Sequence, residues 1–441
     1  MTHIQSGRRW DEGHWWFKLT HVCKRWQNLI LGSPSYLGLC LVCTNGTPVA
    51  DMLIHSSPLP LVISYVCLDG DLSEADEEDI ILALEQREYV RYIRLAIPVL
   101  YLHKLVKVIK GEYPTLEYLI LTHPTEDNTA LVHPTLQAPR LRHLVLFGGA
   151  HRMRGLLLPT AVGLVTLCLA KVNPLFTQPA VLLQYLSLLP QLENLIYLCL
   201  PIRNREVEML VIRTPITAHI THPNLRSFVV EGAGAYLERL LHQITTPRLE
   251  KLKIFFFKQR TFSVPRLLQF MNTTKNFTFD HAKFKFSDER VCVGVFPPEA
   301  KTITFLIMVR CRHLDRQVTS VAQIFNALSQ IFSKVEHLTL GHEVRIQSRE
   351  GHNEVDRTEW RNLLRSFRSV KTLRIGNGLV GELSRCLRSD EGELPLEVLP
   401  ELQELRYSGS GNAGDTFASF TDSRQNAGRP VTLIPIVDNG H

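Results

Sequence analysis

The sequence lacks the segments that would place it in or across a membrane. None of its uncharged apolar runs reaches the roughly 18 residues that a helix needs to cross a bilayer. Residues 1–16 include Arg8, Arg9, Asp11 and Glu12, and they contain no apolar core of a secretory signal. We therefore expect a protein of the cytoplasm or nucleus that has no membrane partner.

Cysteine and net charge are also scarce. The nine cysteines are spread along 441 residues and their number is odd, which is typical of reduced thiols in an intracellular protein. The formal net charge is only +6. This balance does not by itself indicate a nucleic-acid partner, because such binding needs clustered Lys and Arg.

Motifs with a chemical mechanism are missing or incomplete. The chain has no G-x-S-x-G, H-E-x-x-H or G-x-x-x-x-G-K-S/T motif. Gly409–Gly414 matches the dinucleotide-binding G-x-G-x-x-G, but too few residues follow it for the rest of such a domain. Cys40–Cys43 has no second cysteine pair at metal spacing and indicates buried thiols, while His219 and His222 lack nearby ligand residues. We expect no catalytic residue, no metal and no cofactor.

The chain does contain a recurring motif of the form apolar-x-x-apolar-x-apolar, called LxxLxL below. Its period-two part is typical of a short strand with alternate side chains buried. The copies recur every 23 to 35 residues, near the upper end of the spacing of leucine-rich repeats. They begin at Val90, Leu116, Leu141, Leu164, Leu195, Leu225, Leu249, near residue 274, and at Ala300, Val335, Val370 and Leu402.

The segments between the motifs are long enough for one helix each. Residues 73–90 show this best, because Ser73 is a capping residue, acidic side chains follow it, and Ile80, Ile81 and Leu84 stand at helical spacing. Residues 182–189 and 317–332 show similar apolar spacing. One repeat cannot bury its strand alone, whereas stacked repeats can. We predict an α/β leucine-rich-repeat solenoid over residues 41–436, with parallel strands inside and helices outside, and a short tail at 437–441; a generic α/β domain is the alternative.

The alternation also predicts which side chains are buried and which form a binding face. Leu119, Leu144, Leu198 and Leu252 should point inward. Their neighbours should line the concave face, where interleaved aromatic and basic residues are typical of a protein interface. The expected partner-binding residues are Tyr92, Tyr118, His143, Phe147, Tyr197, Lys251 and Lys253. The alternatives are that other segments cover this face, or that its Val and Ile residues serve strand propensity only.

Residues 14–37 have a different pattern. Leu19, Val22, Cys23, Trp26 and Ile30 fall on one helical stripe, which should bury Trp26 and leave Lys24 in solvent. The motif Leu19-x-x-Val22-Cys23-Lys24-Arg25-Trp26-x-x-Leu29-Ile30, followed by Ser33-Pro34, resembles the closing helices of an F-box. The whole chain resembles fungal F-box-like proteins with leucine-rich repeats, and residues 417–433 are similar to their last repeat. The opening Leu-Pro-x-Glu motif of an F-box does not occur in residues 1–13.

The resemblance implies a non-catalytic, substrate-receptor-like subunit of a cullin-type (SCF) ubiquitin ligase. Residues 1–40 would then be a partial F-box-like segment. Its residues Leu19, Val22, Trp26 and Ile30 would bind a Skp-type adaptor and so reach the cullin complex, while the repeats bind a protein substrate that the sequence does not specify. The alternative is an interaction protein with no ubiquitin link, in which this helix only caps the first repeat and buries Trp26 there.

Overall fold

The structure is a computed structural model of the chain and divides into two compact units, Met1–Ile202 and Arg203–His441. It describes residues 22–26, 29, 39–56, 59–67, 70, 72–109, 111–122, 136–147, 160–172, 179–199, 219–257, 259, 261–274, 277–297, 302–343, 357–376, 378–388, 396–408 and 413–436. Within these ranges, no helix combines the length and the apolar character that a membrane span requires.

The first unit contains a parallel sheet with strand order β1-β2-β3-β5-β7-β8-β9. A short parallel pair, β4 and β6, lies apart from it. The strands are β1 Leu41–Cys43, β2 Leu61–Val66, β3 Val90–Ala96, β4 Gly111–Glu112, β5 Tyr118–Thr122, β6 Leu136–Gln137, β7 His143–Phe147, β8 Thr166–Val172 and β9 Asn194–Cys199. The helices are α1 Val49–Ser56, α2 Glu74–Glu85, α3 Val99–Val108 and α4 Pro179–Leu186.

The second unit contains a mixed sheet with strand order β11-β13-β16-β15-β14-β17-β18-β19-β20, and a short pair β10 and β12. Its strands are β10 Ile220–Thr221, β11 Ser227–Gly232, β12 Ile244–Thr245, β13 Lys251–Phe256, β14 His281–Phe286, β15 Arg290–Phe296, β16 Phe305–Arg310, β17 His337–His342, β18 Thr372–Ile375, β19 Glu404–Ser408 and β20 Thr432–Ile436. Its helices are α5 Gly234–His242, α6 Pro265–Thr273, α7 Leu314–Ala327, α8 Ser329–Phe332, α9 Arg357–Arg365, α10 Val380–Leu387 and α11 Ala413–Asn426. The expected α/β class is therefore confirmed, and most of the strands are parallel.

The same turn precedes many of the strands. The first residue of the LxxLxL motif is at most 2% exposed and donates its N–H to the carbonyl three residues earlier, over 3.0–3.4 Å. The next residue then donates to the backbone of the neighbouring strand segment, as Glu117 does to the carbonyl of Arg91 at 2.9 Å. The turn recurs at Leu116, Leu141, Leu164, Leu192, Leu225, Leu249, Val335 and Leu402. The recurring motif is thus one local conformation, repeated.

The helices pack on one face of each sheet. In the second unit, the inward ring of Phe284 lies 5.1 Å from that of Phe325 on α7, and Phe286 lies 5.5 Å from Trp360 on α9. In the first unit, the hydroxyl of Tyr113 donates to the carbonyl of Leu84 on α2 at 3.0 Å. We call the opposite side of each sheet the open face. The side chains of alternate strand residues therefore point either to the buried side, which packs against the helices, or to the open face.

Several predicted elements are confirmed. Ser73 is the N-cap of α2, and its hydroxyl accepts from the backbone N–H of Asp76 at 3.1 Å. Leu182, Leu183, Leu186 and Leu189 are buried as expected, and so is the stripe from Val321 to Phe332. The thiols of Cys40 and Cys43 are buried, and burial raises the pKa of Cys43 to about 12. The glycine-rich motif at 409–414 lies largely outside the described residues.

One expectation about the strand directions is wrong. The sheet of the second unit is not wholly parallel, because β15 pairs antiparallel with both β14 and β16. This strand follows β14 through a tight connection at residues 287–289, too short for a parallel crossover. β1 and β2 come before the first copy of the motif at Val90 and lie within the predicted repeat region 41–436.

The register predicted for β9 is also wrong. The motif there is Leu192-x-x-Leu195-x-Tyr197, whose three apolar residues are fully buried, and it does not start at Leu195. Tyr197 pairs with Leu169 and points to the helical side, whereas Leu198 is only half-buried. Tyr197 is therefore a core residue and is removed from the expected binding face.

Candidate partner-binding surface

Three aromatic side chains form a row on the open face of the first unit. The strand register places Tyr92 beside Tyr118 and Tyr118 beside His143, so their side chains leave the same face of neighbouring strands. The Tyr92 and Tyr118 rings are tilted with centroids 5.6 Å apart, and the Tyr118 and His143 rings stack at 4.3 Å and 9°. All three side chains are half-buried. We call this set the aromatic row.

Apolar neighbours extend the aromatic row along the strands. Ile120 and Val145 are paired residues of β5 and β7 on the same face and are half-buried. Phe147 follows on β7, with the ammonium of Lys171 5.3 Å from its ring centroid. The result is a patch of rings and branched side chains that a partner can cover, with a cation at its margin.

Burial favours the neutral forms of two members of the aromatic row, His143 and Tyr92. Burial, together with the positive charge of Arg142, lowers the pKa of His143 below its ordinary value of 6.5, and the charge of Glu117 offsets this only in part. Burial likewise raises the pKa of the Tyr92 hydroxyl. Both shifts favour the uncharged side chain. The rings of the aromatic row present flat, weakly hydrated surfaces of the kind that carry binding energy in protein interfaces.

The aromatic row occupies a limited window of the open face. Val42 and Val62 lie in line with it on β1 and β2 but are 3% and 1% exposed, and Tyr92 packs against them. On the other side, Cys168 of β8 pairs with Val145 but is only 2% exposed. The accessible side chains of the aromatic row and its apolar neighbours therefore lie on β3, β5 and β7, and the open face continues on β9 with the half-buried Ile196 and Leu198.

The open face of the second unit is basic. Lys251 and Lys253 lie there, as the alternation predicts, and Lys283 and Arg374 occupy the same face on β14 and β18. Within the described part of the chain, none of these four cations has a carboxylate partner. By contrast, Arg406 is held by Glu404 through contacts of 2.8 and 3.2 Å. The uncompensated positive charge of these four side chains would attract an acidic segment of a partner.

The described part of the N-terminal segment is exposed. Val22, Trp26 and Leu29 are 63%, 51% and 62% exposed, and residues 24–26 and 29 are helical. Lys24 is in solvent as predicted, but the expectation that Trp26 is buried is wrong. Leu19 and Ile30 lie outside the described residues. These three apolar side chains are not buried against the first strands. Their exposure argues against a segment that only caps the first repeat.

One group of potential metal ligands was not predicted from the sequence. Asp280, His281 and His337 bring three ligand atoms to within 4.8 Å of one another on the open face of the second unit. In the sequence the two histidines are far apart, and the expectation of no metal followed from the lack of a local motif. The available signal was positional: each histidine is the first residue of a strand.

No protein-family model matches the chain, and a search of curated proteins gives no significant match.

Proposed function

We propose that this chain is a non-catalytic protein-binding scaffold whose units are built from leucine-rich repeats of the solenoid type. The recurring turn at the start of the LxxLxL motif supports the repeats, because the same hydrogen bond closes each turn before an inward-facing strand. The repeats supply a rigid surface, and the side chains of the open face supply the recognition.

The observation that carries the binding role is the aromatic row. Its rings are already stacked and in register, so a partner that covers them loses little conformational entropy in ordering them. A half-exposed patch of Tyr, Phe and branched apolar residues is also costly to leave in water. We place the partner-binding site at Tyr92, Tyr118, His143 and Phe147, with Lys251 and Lys253 as a separate basic region.

Pull-down with quantitative mass spectrometry tests this role. The double variant Tyr92→Ser/Tyr118→Ser should lose the proteins that the unchanged chain captures, while its circular-dichroism spectrum at the pull-down temperature remains that of the folded parent. Tyr89→Ser is the matched control, because Tyr89 is an exposed tyrosine outside the aromatic row. Equal capture by the double variant and the control would place the binding site elsewhere.

We further propose that the scaffold is a substrate-receptor-like subunit of a cullin-type ubiquitin ligase. The exposed side chains of Val22, Trp26 and Leu29 support this, since three large apolar groups exposed within eight residues favour a partner. Their place in the F-box-like motif suggests a Skp-type adaptor as that partner. Without the adaptor, the same chain would be an interaction protein with no ubiquitin link.

Binding to a purified Skp-type adaptor distinguishes a ubiquitin-ligase subunit from an interaction protein with no ubiquitin link. If the adaptor binds, Trp26→Ala should weaken affinity by about 30-fold, the loss expected for a central tryptophan worth about 2 kcal/mol. Lys24→Ala is the control, because Lys24 is exposed and lies off the apolar stripe. If the unchanged chain does not bind the adaptor, the ubiquitin link fails and the scaffold role is unaffected.

A further inference from the structure

Asp280, His281 and His337 converge at the start of β14 and β17. Nδ1 of His281 lies 2.9 Å from Oδ2 of Asp280, and Nε2 of His337 lies 4.0 Å from the same oxygen. The two imidazole rings stack with centroids 4.3 Å apart at 20°. The side chains of the two histidines are 46% and 41% exposed, and that of Asp280 is 20% exposed, so the group opens to solvent.

The backbone holds these three residues in place. His281 and His337 are direct partners in the parallel pairing of β14 and β17. The carbonyl of Asp280 accepts from the N–H groups of Glu336 and His337 at 2.9 and 3.0 Å, and its N–H donates to Phe296 at 3.1 Å. The side chains therefore project from a hydrogen-bonded sheet, where their spacing is set by strand pairing and does not depend on a loop.

The distances suit a small divalent cation. Tetrahedral zinc with bonds of about 2.0–2.1 Å places neighbouring ligand atoms roughly 3.3 Å apart. The two contacts to Asp280 lie on either side of that value, and all three ligand atoms lie within 4.8 Å of one another. The two imidazole rings must rotate out of their stacked arrangement to direct their ring nitrogens at one ion. Two imidazoles and one carboxylate are also a donor set that borderline transition metals prefer over magnesium or calcium.

We propose that Asp280, His281 and His337 form a binding site for Zn²⁺ on the open face of the second unit. The three side chains fill three positions of a tetrahedron, and water or a donor group of a bound protein fills the fourth. The site is independent of the aromatic row, which lies in the other unit, and of the adaptor-binding segment.

Calorimetric titration of Zn²⁺ into the chelator-treated, tag-free full chain tests the site. We expect one Zn²⁺ per chain, and at least about a 10-fold loss of affinity in each of Asp280→Asn, His281→Ala and His337→Ala, since each removes one of three ligands. His313→Ala is the control, because His313 is an exposed histidine at the start of α7. It should bind Zn²⁺ as the parent does.

Cobalt substitution distinguishes this site from a thiolate site. Co²⁺ should give visible ligand-field absorption without thiolate charge transfer, and Asp280→Asn should abolish that absorption. If His281→Ala unfolds, as its circular-dichroism spectrum would show, His281→Gln replaces it. The proposal is overturned if the parent binds no Zn²⁺ or if the ligand variants bind it as tightly as the parent. It is also overturned if the Co²⁺ forms of the parent and of all three variants show thiolate charge-transfer absorption.

Discussion

Truncation of Leu144 to alanine should be strongly destabilising. Leu144 is 1% exposed and lies between Leu119 and Leu167, its paired residues on the neighbouring strands, which are 1% and 0% exposed. The change removes three buried carbon atoms, worth about 2.4 kcal/mol at roughly 0.8 kcal/mol each. Because hydrogen-bonded strands on both sides limit collapse of the cavity, we expect a total loss of about 3–4 kcal/mol, within the usual range for this substitution.

Urea unfolding followed by far-ultraviolet circular dichroism measures this loss. Hydrogen exchange of the amides in β5, β7 and β8 then locates it, because the effect should concentrate in the three adjoining strands. Val145→Ala is the matched control, since Val145 is the next residue of the same strand but faces the open side and is half-buried. A Leu144→Ala loss below about 1 kcal/mol, or an equal loss for Val145→Ala, would refute the assignment of the two faces.

Two further predictions address register and pH. Tyr197→Ala should cost about 3–5 kcal/mol in urea unfolding, as for other large core rings, and Leu198→Ala clearly less, because only Tyr197 is fully buried; the reverse order would restore the register expected from the sequence. Burial lowers the pKa of His222 below its ordinary value of 6.5, so the unfolded chain takes up a proton more readily than the folded chain as the pH falls. Stability should therefore decline below pH 6.5, and His222→Gln should decline less; parallel pH profiles of the two proteins would contradict this.

The predicted parts of the fold are those in which local pattern and burial agree. The LxxLxL motif located strands such as β5, β7 and β13, because a half-buried strand needs alternate apolar residues and its neighbours had the same alternation. It failed at β9, where every position from Leu195 to Leu200 is apolar. When both faces are apolar, alternation no longer specifies which one is inward, and the register depends on the neighbouring strands.

The candidate sites follow the same division. The positions of Tyr92, Tyr118 and His143 on one face were predicted from alternation, and their pairing follows from equivalent places in successive repeats. The alternation did not predict that Val42, Val62 and Cys168 are buried on the same side, because burial of an open-face residue depends on segments distant in sequence. The approach of His337 to Asp280 is also a long-range effect.

The sequence by itself determined the local units of this protein: inward-facing strands opened by a common turn, helices between them, and an alternation that separates core from face. These features depend on contacts within one copy of the LxxLxL motif or between neighbouring copies. The sequence of a short segment is therefore enough to specify them. Only the tertiary structure determined four features: the antiparallel direction of β15, the inward orientation of the Tyr197 side chain, the limits of the aromatic row, and the proximity of Asp280, His281 and His337. Each depends on which strands become neighbours, and strand pairing over long separations is fixed by the burial of the whole sheet.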